Sequence, residues 1–295
     1  MDRLLDFLAR HQGLVLGDGA MGTMLHAAGL EGGGSPEAWN IERPDVLLGI
    51  HRAYVAAGSQ LITTNTFGGT RFRLALHGNE DRVRDLNVAG ARLARQAAEE
   101  ADHEVLVAGD IGPTGEILFP LGTTQPDDVR AAFAEQAAAL VEGGVDFFLI
   151  ETMSALEEVQ AAVEGIRSVT DLPIAATMTF DTHFRTMMGV KPGQAMKALH
   201  DLGLTVIGAN CGNGPGEIER IVTDLAAVKP EGVYLVAQSN AGLPKWEEKQ
   251  IHYDGTPEVM AEYALKMRNL GVSVIGACCG STPEHIRAMR DALGA

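Results

Sequence analysis

The 295-residue sequence has few cysteines, few aromatic residues and a deficit of basic residues. Three cysteines, two of them adjacent, are a poor set for a disulfide framework and instead suggest metal binding or catalysis in a reducing compartment. The 23 Lys and Arg residues against 39 Asp and Glu residues give a net charge of −16. This charge disfavours nucleic acid and anionic membrane surfaces as partners, since both would be repelled.

The sequence also lacks an uncharged apolar run of the roughly 20 residues that a membrane-spanning helix requires. Its first segment, MDRLLDFLARHQGL, has charges among the apolar positions and no continuous apolar stretch of the signal-peptide kind. We therefore predict a short amphipathic helix at this position and a cytoplasmic protein that spans no membrane. The sequence leaves open whether the chain forms a homo-oligomer.

Short apolar segments alternate along the whole chain with longer segments of helical periodicity. The eight predicted strands are Leu14–Gly17, Gln60–Thr64, Val105–Gly109, Phe147–Ile150, Ile174–Thr179, Val206–Ala209, Tyr234–Gln238 and Val274–Gly276. They are continuously apolar, as is typical of parallel strands that are buried on both faces. The predicted helices include Val83–Ala101, Pro126–Glu142, Ala155–Ser168, Gly193–Leu202, Gly216–Ala227 and Pro257–Leu270. Eight such units predict a (β/α)8 TIM barrel, with residues 1–295 as a single domain.

The main alternative fold is a doubly wound open sheet, which in a nucleotide-binding protein carries a glycine-rich phosphate turn after its first strand. The segment after the first predicted strand is GDGAMGT, which does not have the GxGxxG spacing, and there is no Walker-type lysine. The sequence therefore favours the barrel.

A polar residue or a cysteine stands at the end of every predicted strand. In chain order these are Asp18, Asn65, Asp110, Glu151, Thr179 with Asp181, Asn210 with Cys211, Asn240, and Cys278 with Cys279. The carboxyl ends of barrel strands meet at one rim, where the active site of such a fold is built. We therefore expect these side chains, including every cysteine of the chain, to lie close together.

The three cysteines, Cys211, Cys278 and Cys279, predict a zinc site on this rim. They are 67 and 68 positions apart across two strand ends, and adjacent glycines allow the backbone to turn both members of the Cys278–Cys279 pair inward. Three thiolates form a soft site that suits zinc and leave its fourth coordination position open. The alternative is that the cysteines are small buried apolar residues, as free cysteines often are.

An open position on such a site favours thiol chemistry. A free alkyl thiol, with a pKa of about 8.5, is mostly protonated at neutral pH, and coordination to a metal deprotonates it. Neutral histidine ligands are the common choice for generating hydroxide, whereas a shell of three thiolates suits a nucleophilic thiolate. Alkylation of a thiol therefore fits this site better than hydrolysis.

Seven segments in a fixed order resemble the homocysteine S-methyltransferase family: LGDGAMGTML, ITTNTFGGTRFRLALHG, AGDIGPTGEILFPLG, IET, GANCGNGP, NAGLP and GACCGSTPEHI. The resemblance extends from about residue 13 to residue 292, although GACC replaces the commoner GGCC. It implies a zinc ion held by the three cysteines and homocysteine as the thiol. It further implies that Asp18 and Glu151 hold the ammonium group of homocysteine, and that backbone N–H groups near Gly19 and after Asn210 are available to its carboxylate.

The same resemblance assigns further residues. Asn65 and Phe67 of TNTF resemble residues that line the substrate pocket, and Asn240 of NAGLP resembles a residue that approaches zinc when the substrate is absent. A methyl group would come from a separate methyl-corrinoid (methylcobalamin) protein that docks on the rim, or from betaine. Gly68 follows Phe67 where the betaine enzymes have an aromatic residue, so the corrinoid donor is favoured, although Trp39 is a candidate for another aromatic wall.

The product of the implied reaction is methionine. Two other functions remain open at this stage: a barrel that senses zinc or thiols without catalysis, and a thioether demethylase that uses the same zinc site in the opposite direction.

Overall fold

In the computed structural model, which describes residues 3–247 and 250–294, eight parallel strands form a barrel. They are β1 (Val15–Leu16), β2 (Leu61–Thr63), β3 (Leu106–Ile111), β4 (Phe147–Met153), β5 (Ile174–Met178), β6 (Val206–Cys211), β7 (Tyr234–Ser239) and β10 (Val272–Ala277). The hydrogen-bonded order is β1-β10-β7-β6-β5-β4-β3-β2, and a parallel bridge between Gly17 and Leu61 joins its two ends. The predicted TIM barrel, with all eight predicted strands, is confirmed.

Helices surround the barrel. Their bounds are α1 (Arg3–Arg10), α2 (Met21–Ala27), α3 (Trp39–Glu42), α4 (Pro44–Ala57), α5 (Arg71–Ala75), α6 (Val83–Glu99), α7 (Pro126–Gly143), α8 (Leu156–Arg167), α9 (Pro192–Asp201), α10 (Pro215–Ala226), α11 (Pro257–Asn269) and α12 (Pro283–Leu293). Six of them begin with a proline, whose fixed φ suits the first turn of a helix. None of the helices in the described part of the chain is long and apolar enough to span a bilayer.

One connection differs from the sequence prediction. An antiparallel hairpin, β8 (Pro244–Glu247) with β9 (Gln250–Tyr253), is inserted between β7 and α11, where no strands were predicted.

The interior of the barrel is apolar towards the amino-terminal ends of the strands and polar at their carboxyl ends, which form the rim. Inward-facing residues such as Leu106 and Ala108 on β3, and Phe147 and Leu149 on β4, belong to one buried apolar cluster. Leu4, Phe7 and Leu8 of the amphipathic helix α1 belong to the same cluster and close the amino-terminal end of the barrel. Because side chains of a strand alternate between its faces, the next inward positions on these strands are Asp110 and Glu151. The rim site is therefore the polar continuation of the packed core.

Candidate metal and substrate site

The first and last barrel loops are held together by buried hydrogen bonds. Ser281 accepts a hydrogen bond from the backbone N–H of Ala20 (2.9 Å) and donates one to the carbonyl oxygen of Cys278 (2.7 Å). Tyr54 on α4 donates to the carbonyl oxygen of Ala20 (2.8 Å). A Cβ atom at Gly19 would lie 2.5 Å from Oγ of Ser281, so only glycine fits between these loops. These contacts place the DGAMGT turn directly beside the paired cysteines.

The structure brings the three cysteines together as the sequence predicted. Cys211 ends β6, the paired cysteines follow β10, and both strands flank β7 in the barrel. The Sγ–Sγ distances are 3.5 Å between Cys211 and Cys278, 3.9 Å between Cys211 and Cys279, and 4.0 Å between Cys278 and Cys279. Within the described residues, this is the only group of three or more metal-binding side chains close enough to hold an ion.

The donor set fits zinc. Zn–S bonds of about 2.3 Å in a tetrahedral arrangement place sulfur atoms about 3.8 Å apart, which agrees with the three distances found here. Hydrogen bonds from the thiols of Cys211 and Cys278 lower the pKa of Cys279 to about 3, whereas the pKa of Cys278 is raised well above its usual value by its hydrogen bonds to Cys211 and Cys279. Cys279 is thus the thiol that ionises most readily, and Cys278 keeps its proton. Binding of a divalent metal ion would displace the remaining thiol protons.

Local backbone geometry turns the thiols towards one another. Cys211 has a positive φ of 63°, which is uncommon for a residue other than glycine, and Gly280 has a φ of 82°. The ring of Tyr253 on β9 packs so closely on Gly280 that a Cβ atom there would lie 2.2 Å from it. Tyr253 contributes to the lowered pKa of Cys279, after the larger contributions of Cys211 and Cys278. Sequence reasoning missed Tyr253, because it lies on the unpredicted hairpin.

A cavity of about 270 Å³ opens beside the cysteines, and carboxyl groups line it. Asp18 accepts hydrogen bonds from the N–H (2.7 Å) and the hydroxyl (3.1 Å) of Thr63, both through Oδ2. Burial raises the pKa of Asp18 to about 7 in spite of these bonds. An ammonium group in the cavity would favour the ionised form of this carboxyl group.

Glu151 reaches the same cavity from β4. Burial, and then the charge of Asp18, raise its pKa to about 8. Oε2 of Glu151 accepts a hydrogen bond of 3.2 Å from Nδ2 of Asn210, and the next residue, Thr152, has a φ of 61°. Asp18 and Glu151 therefore face one cavity, as the sequence predicted for an ammonium site.

The remaining predicted residues take different places. Gly19, Asn65 and Phe67 line the cavity. Nδ2 of Asn65 donates to the carbonyl oxygen of Pro36 (2.8 Å), which fixes the loop between α2 and α3 over the site. Asn210 does not line the cavity and acts on it through Glu151.

Asn240 lies behind the cysteine loops. Its Nδ2 donates to the carbonyl oxygen of Gly212 (2.6 Å), whereas its buried Oδ1 has no partner among the described residues. The next residue, Ala241, donates its N–H to the carbonyl oxygen of Cys279 (2.9 Å). The loop after β7 thus bridges the loops that carry the three cysteines.

Other residues of the cavity were not identified from the sequence as site residues. Asp110 and Gln238 line its wall, and Arg73 and His77 line it from the segment around α5. Trp39, considered as an aromatic wall for a methyl donor, does not line the cavity, and its ring packs 5.0 Å from the guanidinium carbon of Arg43.

The fold is that of known homocysteine methyltransferases. The oxidised form of the homocysteine methyltransferase MmuM from Escherichia coli superimposes with a TM-score of 0.83 at 23% identity, covering 98% of this chain and 99% of that one. Its metallated form gives a TM-score of 0.81 at 23% identity, over 97% and 99% of the two chains. At this identity the similarity establishes a TIM barrel of the same architecture.

Sequence comparison identifies the family. The chain is 38% identical over 307 aligned positions to the methionine synthases of Mycobacterium leprae (strain TN) and Mycobacterium tuberculosis (strain ATCC 25618 / H37Rv). The alignments cover 98% of this chain but 25% of each relative, so the chain spans about a quarter of their length. The model of the homocysteine S-methyltransferase family matches residues 15–293. The chain therefore belongs to this family.

Proposed function

We propose that this protein transfers a methyl group to the sulfur of homocysteine, forming methionine, at a zinc site made by Cys211, Cys278 and Cys279. In this proposal residues 1–295 act as one homocysteine-binding barrel. The observation that carries the proposal is the position of the three-thiol cluster at the end of a cavity lined by Asp18 and Glu151. An amino acid with a thiol matches both ends of this cavity, because its sulfur is a suitable metal ligand and its ammonium group is able to pair with the carboxylates. Free thiols of this kind suit the cytoplasm.

The residues of the chain have separable tasks in this reaction. Asp18 and Glu151 bind the ammonium group and so orient the side chain of homocysteine towards the cysteines. Asn210 holds Glu151 in place, and Phe67 forms an apolar wall of the cavity. Zinc, when bound, supplies a position at which the incoming thiol is deprotonated and therefore nucleophilic. A bond then forms between the sulfur and the methyl carbon, while the methyl–donor bond breaks and its electron pair remains on the donor.

The cavity favours a methyl-corrinoid donor over betaine. Recognition of a quaternary ammonium group uses several aromatic faces, and Phe67 is the only Phe, Tyr or Trp that lines the described cavity. Gly68 follows Phe67, and the guanidinium group of Arg43 lies over the ring of Trp39. A betaine cage is therefore incomplete.

The surface around the cavity supports a protein-bound donor. Large apolar side chains are exposed on loops that follow barrel strands, including Leu76 (68% exposed), Ile117 (59%), Phe119 (59%), Leu121 (75%) and Met187 (73%). These connections all follow the carboxyl ends of barrel strands, so they lie on the same end of the barrel as the cavity, and exposed apolar groups are a feature of docking surfaces. We propose that a methyl-corrinoid protein binds this rim and brings its methyl group to the cavity.

The deciding experiment mixes the zinc-loaded protein with homocysteine and one donor at a time: methylcobalamin, betaine or S-methylmethionine. We expect methionine to form from methylcobalamin and not from betaine. Formation from betaine would overturn the donor assignment. Zinc binding without methionine from any donor would favour the sensor alternative, and loss of methyl groups from methionine with no forward reaction would favour thioether demethylation.

A further inference from the structure

Besides Asp18 and Glu151, two further carboxyl groups line the cavity. Glu37 accepts a hydrogen bond from the N–H of Gly68 (2.8 Å), whereas Asp110 has no role in the function proposed above. Asp110 is 5% exposed, and its Oδ1 is fully buried with no hydrogen-bond partner among the described residues. A buried carboxyl oxygen without a donor is costly, so it requires an explanation, and a bound ligand is one. The backbone of Asp110 is fully engaged, because its N–H donates to Oγ1 of Thr64 (2.9 Å) and its carbonyl oxygen accepts from Oγ1 of Thr66 (2.8 Å). The backbone is therefore fixed at the point where the side chain of Asp110 joins the wall of the cavity.

The position of Asp110 in the barrel explains its direction. On β3 it follows the inward-facing Leu106 and Ala108 at a spacing of two. In the register of the sheet it pairs with Leu149 on β4, two positions before Glu151, which continues the inward series of that strand. Asp110 and Glu151 thus form the same polar layer on neighbouring strands.

The free acceptors in this layer match an ammonium group. Asp18 accepts its two hydrogen bonds through Oδ2, and the hydrogen bond of Glu151 from Asn210 uses Oε2. No other described residue donates to the second oxygen of either group, and the carboxyl group of Asp110, which lines the same cavity, accepts no hydrogen bond from the described residues. An ammonium group carries three N–H donors and no acceptor, so it is able to satisfy all three.

We propose that Asp110 binds the ammonium group of the substrate together with Asp18 and Glu151, and that it selects thiols that carry an amino group over thiols that lack one. Gln238, whose buried Oε1 also lacks a partner, adds an acceptor to the same wall. Burial, followed by the charges of Glu151, Asp18 and Glu37, raises the pKa of Asp110 well above its usual value, and the positive charge of an ammonium group would compensate the negative charge of its ionised form. This inference rests on the proposed function only for the identity of the substrate as homocysteine.

The experiment compares homocysteine with 4-mercaptobutyrate, which is the same molecule without the amino group. Calorimetric titration of the zinc-loaded Asp110→Asn variant should give a dissociation constant for homocysteine at least tenfold higher than that of the unmodified protein. The constant for 4-mercaptobutyrate should change less than twofold. The exposed Asp81→Asn variant is the matched control, and both constants should stay unchanged in it.

Thermal unfolding separates this role from a structural one. Because Oδ1 of Asp110 has no partner to lose, the melting temperature of Asp110→Asn should equal or exceed that of the unmodified protein. Asp110→Ser is a second variant with the same expectation. The inference would be overturned if Asp110→Asn weakened the binding of both thiols equally, or if it left the binding of homocysteine unchanged. Failure of both variants to fold would also overturn it. If the unmodified protein methylates neither thiol but binds homocysteine preferentially, and Asp110→Asn loses that preference, the proposed function is refuted while the inference about Asp110 is supported.

Discussion

Nδ2 of Asn210 donates a hydrogen bond of 3.2 Å to Oε2 of Glu151, and this contact links the predicted metal site to the predicted ammonium site. Asn210 directly precedes Cys211, whereas Glu151 lies on the wall of the cavity. The other bonds of the Asn210 side chain go to Thr152, through its N–H (2.9 Å) and hydroxyl (2.7 Å), and to the hydroxyl of Thr177 (2.8 Å). One buried amide thus sets the positions of a proposed zinc ligand and a proposed substrate carboxylate.

Replacement of Asn210 should therefore affect substrate binding before metal binding. In Asn210→Ala, Glu151 loses its donor and the N–H of Thr152 is left unpaired, which should cost on the order of 2–3 kcal/mol of unfolding free energy. We expect the KM for homocysteine to rise at least tenfold while zinc content stays near that of the unmodified protein. Thr177→Val, which removes one bond to Asn210 without touching Glu151, should change KM much less. Loss of zinc with an unchanged KM would contradict this link.

The three-cysteine cluster predicts a sharp effect on metal content. Cys278→Ser removes one of three soft ligands, so we expect zinc to fall from about one ion per chain to well below one after dialysis against a weak chelator. Cys211→Ser and Cys279→Ser should behave in the same way, since all three sulfur atoms lie within 4.8 Å of one another. Elemental analysis of the purified variants measures this, and the exposed Met187→Ala variant is the control. Full zinc and full activity in any serine variant would remove that residue from the ligand set.

The raised pKa values of the two predicted substrate carboxyl groups predict a pH dependence of binding. Burial raises the pKa of Asp18 to about 7 and that of Glu151 to about 8, so both are largely protonated at pH 6. Each must lose its proton to pair with an ammonium group, and below its pKa this costs about 1.4 kcal/mol, or a factor of ten in affinity, per pH unit. Affinity for homocysteine should therefore rise from pH 6 and level off above pH 8.

Deprotonation of the thiol adds its own pH dependence, which must be separated from that of the carboxyl groups. Because 4-mercaptobutyrate has the thiol but no ammonium group, its affinity should rise less steeply over the same range. The difference between the two calorimetric profiles reports the carboxyl groups, and Asp18→Asn should reduce that difference. Parallel profiles for the two thiols in the unmodified protein would rule out an ammonium site at these residues.

The strand pattern and the cysteine cluster were predictable because both depend on features that the sequence states directly. Continuous apolar runs mark buried parallel strands, and a barrel brings the end of β6 near the end of β10 across β7. The start of α12 at STPEH depends on a similarly local arrangement, in which Nδ1 of His285 accepts from the backbone N–H of Thr282. Local signals of this kind depend on a few neighbouring residues.

The parts of the site that were missed depend on register and on unusual backbone angles. Tyr253 reaches Cys279 only because an inserted hairpin folds back over Gly280, and no periodicity marks that hairpin. The inward direction of Asp110 follows from its spacing of two from Ala108, so strict alternation along β3 was a usable signal. The lack of a hydrogen-bond partner for Oδ1 of Asp110 could not be predicted from the sequence, because it depends on every side chain around that atom.

Asn240 provides a test of whether the metal site rearranges when the substrate binds. Its Oδ1 is buried without a partner among the described residues, whereas Nδ2 bridges to the carbonyl oxygen of Gly212. If Oδ1 completes the metal shell of the substrate-free protein, Asn240→Ala should change the visible spectrum of the cobalt-substituted protein before homocysteine is added and not afterwards. Asn240→Asp keeps a side-chain oxygen and loses the donor to Gly212, so its substrate-free spectrum should stay closer to that of the unmodified protein.

A purely bridging role for Asn240 gives a different pattern in the same measurement. The bond to Gly212 holds the loop that carries Cys211, so its loss would displace that ligand with or without substrate. Both variants would then alter the cobalt spectrum in both states, and both would lower the metal affinity. Because the two variants share the loss of the bridge and differ in the oxygen, the contrast between them assigns any effect to one end of the Asn240 amide.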